Sequence, residues 1–409
     1  MAWYEGNLHM HSYWTDGHDF PEMVADWFKN EGYNFVAFTE HDRHQVGKKW
    51  VSRDLERGSG RSMAESGLLQ KYVERYGDDW VEMRGGELGE VRVKALTEYR
   101  NLVEEEGRFL VMAGEEVTTN WGDVPDWSQT HWINVFNTRE PVDLQHDPDS
   151  SPKAMRATLD AANGADSASG SEKLVFLNHP NFGWNATAED IAEVKGLRHI
   201  EIYTALNMCA TFGDELHCPV ERIWDVALTL RLFKGGDIIY GLATDDCHAY
   251  AHHFEFGDTA LPGRAWICVR SETLTPDQVL GAVNRGGFYS SSGVTLREME
   301  TSKTGIALSI DAREGVRYTT QFLGTPKGVD MSSEPVLGED GTEVRTTRAY
   351  SKEIGQVLYE TNDLNPEYTF TGEELFVRAV VTADVVHPNP TDEGDLQRAW
   401  TQPVAVGSV

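Results

Sequence analysis

The chain is poor in cysteine: 409 residues carry four, Cys209, Cys218, Cys247 and Cys268, and no two form a Cys-x-x-Cys pair. That excludes a dense disulfide framework and leaves reduced, mostly buried thiols of a cytosol-like compartment. Basic residues are also scarce. Lys and Arg number 36 against 66 Asp and Glu, a net charge of −30. Nucleic acid as the main partner is therefore excluded, because backbone binding draws on clustered cations. Anionic membranes are disfavoured for the same reason, whereas solubility and a salty habitat are favoured. No apolar run is long enough to cross a bilayer. The opening Met1-Ala2-Trp3-Tyr4-Glu5 has neither the basic region nor the apolar core of a secretory signal, so the expected location is cytoplasmic. There is no Gly-x-Ser-x-Gly nucleophile motif and no internal repeat.

What the chain does have is histidine and carboxylate at the ends of short apolar runs. The first is Asn7-Leu8-His9-Met10-His11, followed by Asp16-Gly17. In extended backbone alternate residues share a face, so His9 and His11 aim at one point. A helix is expected over Phe20–Gly32. The strand Asn34–Thr39 then ends in Glu40-His41-Asp42. Strand, helix and strand in some forty residues is a βαβ unit with polar residues at the strand's C-terminal end. Further on, a helix from about Glu90 to Glu106 leads into the strand Phe109–Ala113, which Gly114-Glu115-Glu116 ends. Glu116 is the candidate there, with Glu115 turned away by alternation. His131 opens the strand 130–136, His179 follows Leu174–Leu177, and Asp246 and His248 follow Ile238–Thr244.

These strand ends offer His9, His11, Asp16, His41, Glu116, His131, His179, Asp246 and His248. Nine nitrogen and oxygen donors without a thiolate exceed what one ion can use. They suit two or three divalent ions of borderline hardness, Zn, Mn or Fe. The ions and their ligands are expected to cleave a small-molecule ester, expected to be anionic, through a metal-bridging hydroxide. A phosphate mono- or diester leads. Aromatic residues near the site, Tyr13, Trp14, Trp121, Trp127, Phe182 and Trp184, suit an apolar ring ester as the alternative. A non-catalytic metal-bearing binding protein ranks third. Asp16, Arg43 and His44 are the further catalytic candidates. Arg43, His44 or an arginine of the 53–61 stretch would neutralise charge or protonate the leaving group. From about Leu296 helix signals give way to short alternating strands, so the expected division is a catalytic unit over 1–295 and a β-sandwich-like unit over 296–409.

The motifs His9-Met10-His11-Ser12 with Asp16-Gly17, Thr39-Glu40-His41-Asp42, Gly114-Glu115-Glu116, His131, Asn178-His179-Pro180 and Asp246-Cys247-His248 resemble, in order, those of the PHP (polymerase and histidinol phosphatase) superfamily. The run Gly241–His248, the stretch Leu274–Gly293 and the late Ala399-Trp400-Thr401-Gln402-Pro403 look like the branch similar to the carbaryl hydrolase CehA, which implies a carbamate or carboxylic ester as the alternative substrate. The resemblance implies a distorted (β/α)7 barrel with a trinuclear centre. It also implies that His9, His11, Glu116 and Asp246 hold one ion. Glu116 would bridge to a second ion held by His131 and His179, and Asp16, His41 and His248 would hold a third.

Overall fold

The computed structural model describes residues 1–56, 61–86, 89–122, 126–144, 148–250 and 261–407. Buried apolar runs form its main sheet. In spatial order the sheet begins with the strands Tyr240–Thr244, His199–Thr204, Leu174–Leu177, Thr130–Phe136, Leu110–Asn120, Phe35–His41 and Ala2–Asn7. The Phe35–His41 strand is buried up to Glu40, and Tyr240–Thr244 throughout, as expected of strands covered on both faces. Just past the first strand, Met10 makes a parallel bridge to Cys247, and the His11 amide donates to the Cys247 carbonyl (3.1 Å). The two outermost of these seven strands thus meet beside the histidines.

Helices Pro21–Asn30, Leu96–Val103, Ser151–Gly164, Ala188–Glu193, Val220–Phe233 and Pro276–Asn284 follow or flank these strands. Strict alternation of strand and helix fails at one place. Thr130–Phe136 runs antiparallel to both its neighbours, is preceded by the 3-10 turn Trp127–Gln129, and pairs directly with Leu110–Asn120. The Leu110–Asn120 strand also outruns the expected stop at Gly114: Val117 and Thr119 are buried, and the hairpin pairs Glu116 with Asn134 and Thr119 with His131. Residues 90–93, expected as helix, are a strand paired with Lys49–Ser52. Val91 and Val93 alternate inward with a period of two, and the helix starts only at Leu96.

The main sheet continues through Trp266–Ser271 and Phe288–Ser291 into Leu396–Thr401, Glu374–Val386, Tyr318–Pro326 and Gln356–Thr361. A second sheet of Leu296–Thr301, Gly305–Ile310 and Glu367–Thr369 shares with these strands a core that includes Met299, Ile306, Leu308, Phe322, Val377 and Val381. The four cysteines are unbridged. Among the described residues no helix is long and apolar enough to cross a membrane.

His199 opens one of the central strands, where its Nε2 lies 3.1 Å from the Val283 carbonyl. Burial pulls its pKa down to about 3. As pH falls, the unfolded chain takes up this proton near 6.5, whereas the folded chain does so only near 3. The group therefore costs nothing above pH 6.5 and destabilises progressively between 6.5 and 3. His199→Gln keeps a donor for Val283 and removes the titration. The loss of stability between pH 7 and pH 5, read from urea midpoints, is expected to be smaller by roughly 2 kcal/mol than in the parent.

Candidate metal centre

Eight of the nine donors converge. Asn7 ends the first strand, and its Oδ1 accepts from the His9 amide (3.0 Å), turning the chain so that His9 and His11 enter the interior. Both are fully buried, with ring centroids 5.3 Å apart. The next turn is held by Glu40, whose carboxylate accepts from the Ser12 and Thr15 hydroxyls and from Gln45 Nε2 (2.9 Å). That anchor fixes the loop between His11 and Asp16. Gly17 closes it, packed so tightly that a Cβ there would lie 2.4 Å from the His11 carbonyl carbon and the Ser12 nitrogen. Gly17→Ala must therefore move the His11–Asp16 loop. A displacement of this kind is expected to weaken metal binding at least about tenfold, read by calorimetric titration of metal-free protein.

His41 arrives at the end of its strand, His179 after Leu177, and Asp246 and His248 after Thr244. His179 and Asp246 have φ of +24° and +48°, backbone that L-residues rarely adopt. Such strain gathers where surrounding structure imposes it for function.

The donors fall into two overlapping groups about one carboxylate. Glu116 Oε1 lies 3.3 Å from His9 Nε2 and 3.4 Å from His179 Nε2, while its Oε2 lies 3.2 Å from both His11 Nε2 and His41 Nδ1. Asp246 Oδ1 is 3.2 Å from His9 Nε2 and from His11 Nε2. Asp16 Oδ2 is 3.3 Å from His41 Nε2 and 3.4 Å from His248 Nε2. The inner group is closed to solvent, but the Asp16 side chain is 47% exposed, which puts the outer group at the mouth.

Donor spacing decides whether a cation fits. Ligand atoms about 2.1 Å from an ion stand about 3.0–3.4 Å from one another in octahedral or tetrahedral arrays. The contacts above span 3.2 to 3.4 Å. His9 Nε2 and His11 Nε2 are buried without a hydrogen-bond partner, an arrangement that costs free energy unless a cation takes up the lone pairs. Three sets bring one ligand atom from each residue within 4.8 Å of one another: His11, Asp16, His41 and His248; His9, His11 and Glu116; and His9, His179 and Asp246.

Electrostatics points the same way. Among the described residues, the ion-pair partners of Asp16, Glu116 and Asp246 are imidazoles, not lysine or arginine. Burial works against charge on every one of these groups. Even so, Asp246, Glu116 and Asp16 push His11 up to about 10, and the neighbouring imidazoles hold Asp16 and Glu116 well below the usual carboxylate range. Without a cation, protons must supply the missing positive charge. A divalent ion does so without protonating the ligands.

Two residues that sequence reasoning missed hold the donors in place. Glu201, buried in the apolar strand His199–Thr204, accepts from His9 Nδ1 (2.6 Å), the His179 amide (2.9 Å), and the Thr204 (2.8 Å) and Thr244 (2.7 Å) hydroxyls. It fixes His9 with Nε2 facing the centre. Asn178 Nδ2 donates to Glu116 Oε1 (2.7 Å) and to Asn134 Oδ1 (3.1 Å). A carboxylate between Ile200 and Ile202 was the available signal for Glu201.

The structure does not bring His131 to the cluster. Its Nε2 lies 2.9 Å from Ser151 Oγ, its ring stacks on Trp121 (4.2 Å), and burial lowers its pKa to about 3. The hairpin register explains this. His131 pairs with Thr119, three residues or about 10 Å beyond Glu116. By alternation it also shares the face of Ile133 and Val135, which pack beside Met155 and Leu159 of a helix. His44 is also elsewhere: its Nε2 lies 3.3 Å from Thr138 Oγ1 and 4.0 Å from Glu115, on the other side of that strand. Arg43 is exposed and does not line the cavity over the cluster. Arg53 reaches the Gly86 carbonyl, and Arg57, like His252 and His253, lies outside the described residues.

The cavity over the cluster has a volume of about 250 Å³. Asp16, His41, Glu116, His179, Asp246 and His248 form its base, and Trp127, Trp132, Phe182, Leu206 and Met208 its walls. Of the aromatic residues expected near the site, Trp127 and Phe182 line it. Tyr13 and Trp14 are core, Trp121 stacks on His131, and Trp184 stacks on His217 (3.8 Å).

No protein-family model and no curated protein matches the chain. Solved structures similar to it include three of low identity. One is a two-domain protein from Bacteroides vulgatus ATCC 8482 containing a predicted PHP-like metal-dependent phosphoesterase, with 13% identity, TM-score 0.38, and coverage of 99% of this chain and 95% of that one. The second is a putative metal-dependent phosphoesterase from Bifidobacterium adolescentis ATCC 15703, with 12% identity, TM-score 0.27, and coverage of 59% and 87%. The third is an amidohydrolase from Chromobacterium violaceum with bound sulfate and no metal, with 14% identity, TM-score 0.25, and coverage of 60% and 87%.

Proposed function

We propose that the chain is a metal-dependent hydrolase of a small phosphate ester, mono- or diester, belonging to the PHP superfamily and its carbaryl-hydrolase-like branch. In this reading the seven strands from Ala2 to Thr244 form a distorted barrel closed at Met10 and Cys247, and residues 296–409 are a separate β unit. The observation that carries the function is Glu116, a buried carboxylate with one oxygen facing His9 and His179 and the other facing His11 and His41. That division suits two ions, with His9, His179 and Asp246 on one and His11, Asp16, His41 and His248 on the other. A third set, His9, His11 and Glu116, shares its donors with these two.

Zn, Mn or Fe held by these residues would supply Lewis acidity for polarising the ester and for acidifying water near neutral pH. The chain's own residues do the rest. Glu201 and Asn178 keep His9 and Glu116 oriented, and the apolar walls exclude bulk water. Asp16, at the mouth between His41 and His248, is placed to orient entering water.

The apolar walls favour one second reading, an aryl carbamate or carboxylic ester cleaved by the same residues. Protein stripped with chelator and reloaded with Mn or Zn should be assayed side by side on p-nitrophenyl phosphate, bis-p-nitrophenyl phosphate and a naphthyl carbamate. Turnover of a phosphate ester that disappears on stripping and returns on reloading is the expected result. Full turnover by metal-free protein refutes the metal-dependent mechanism, and turnover of the carbamate alone moves the assignment to the second reading.

A further inference from the structure

The wall residues Leu206 and Met208 lie in a short stretch, 203–212, that is tied to the C-terminal β unit at three points, the first through a bridging arginine. The first is Arg264, which is 6% exposed. Its Nη1 donates to the Ala205 carbonyl (3.1 Å), its Nε to the Asn389 carbonyl (3.1 Å) and its Nη2 to Asn389 Oδ1 (3.0 Å). The second is Tyr203, whose hydroxyl donates to the buried Asp395 carboxylate and lies 3.1 Å from Thr391 Oγ1. The third is Arg398, which sits 5.6 Å from the centre of the Phe212 ring and pairs with Asp395 (3.1 Å).

The same segment that carries Arg264 is tied to the metal-facing strands. The Asp245 carboxylate accepts the amides of Gly263 (2.7 Å), Arg264 (2.8 Å) and Ala265 (2.8 Å), next to Asp246 in sequence. The Ala265 carbonyl accepts from Asn7 Nδ2 (3.0 Å), and Asn7 in turn receives the His9 amide. Residues 263–265 therefore join four parts: the two strands that bear His9 and Asp246, the Ala205 wall and the 387–398 segment. A guanidinium buried among carbonyls of two segments, with its fork filled on both sides, fixes their separation more firmly than a single hydrogen bond does.

We infer that residues 387–398, acting through Arg264 and Tyr203, hold Leu206 and Met208 at a set distance from the metal-facing residues and so determine the width of the substrate cavity. The C-terminal unit is then part of the active site's construction without touching the reacting atoms. Arg264, Tyr203 and Asn389 are positioning residues. The inference rests on the hydrolase reading only where substrate is concerned, since the grip itself is measurable without turnover.

The test uses the full-length protein and two variants on opposite sides of the contact, Asn389→Ala and Tyr203→Phe. Hydrogen exchange followed by mass spectrometry reports the 205–212 stretch, where the Cys209 and Ala210 amides donate to the carbonyls of Leu206 and Asn207. Exchange there is expected to quicken at least tenfold in both variants, with metal content by elemental analysis unchanged. KM for p-nitrophenyl phosphate is expected to rise about tenfold with kcat within threefold, a split that general destabilisation does not produce. Unchanged exchange in both variants overturns the inference whatever the activity. Faster exchange accompanied by metal loss also overturns it, because the grip then serves the ligands and not the wall. If no ester is turned over by the parent protein, the hydrolase reading fails while the exchange result still decides this one.

Discussion

Glu116→Gln is expected to abolish measurable hydrolysis, a loss of at least about 10³-fold or roughly 4 kcal/mol of transition-state stabilisation. It should also release the bound metal. One carboxylate serves both donor groups, so removing its charge weakens both at once. The substitution also turns an N–H toward imidazole nitrogens that need a cation as partner. The matching control is Glu201→Gln, which touches His9 and the His179 amide but not the centre. Its effect should be smaller, about 10–100-fold in metal affinity. Metal content of both variants by elemental analysis, with calorimetric affinities, separates the two roles. Proton release provides an independent check. In metal-free protein the carboxylates hold His9 and His11 in their charged forms well above the usual range, so metal must displace those protons. At neutral pH, metal binding measured in buffers of different ionisation enthalpy should show net proton release, and Glu116→Gln should reduce it.

Most of this centre was legible because its donors follow short apolar strands and obey strand alternation. His9 and His11 are two apart, as are Asp246 and His248, and Glu116 faces in while its neighbour Glu115 faces the Val142 amide. The same rule, applied to 130–136, would have turned His131 out with Ile133 and Val135. The motif outweighed the alternation there, and the antiparallel register adds a displacement along the strand that no local pattern reveals. His44 fails for a related reason: it lies beyond the strand end, where no period constrains its direction. Glu201 was hidden because an isolated acid in an apolar strand carries no spacing signal, and its four partners come from four places in the chain. The C-terminal strands were legible as short alternating segments. Their continuity with the main sheet was not, since the pairing of Phe288–Ser291 with Leu396–Thr401 spans some hundred residues.

That long-range attachment has a charged centre, and its loss should have the largest effect on stability. Arg378, in the Glu374–Val386 strand, is 1% exposed. It meets Asp225 of the Val220–Phe233 helix through two parallel bonds of 2.8 Å and approaches Glu221 at 3.2 Å, with its guanidinium 4.7 Å from the Trp224 ring centre. Burial opposes the charge, but the two carboxylates hold it firmly. Arg378→Met keeps much of the apolar stem and removes the fork, leaving Asp225 buried without a counter-charge. The cost expected is about 3–5 kcal/mol, measured as a fall in the urea midpoint. Asp225→Asn alone should also destabilise, because the guanidinium then loses its bidentate partner. The double variant should recover a substantial part of that loss, since a neutral pair of similar shape no longer carries an uncompensated charge. A double variant no more stable than either single one would place the stabilisation in packing against Trp224, not in the ion pair.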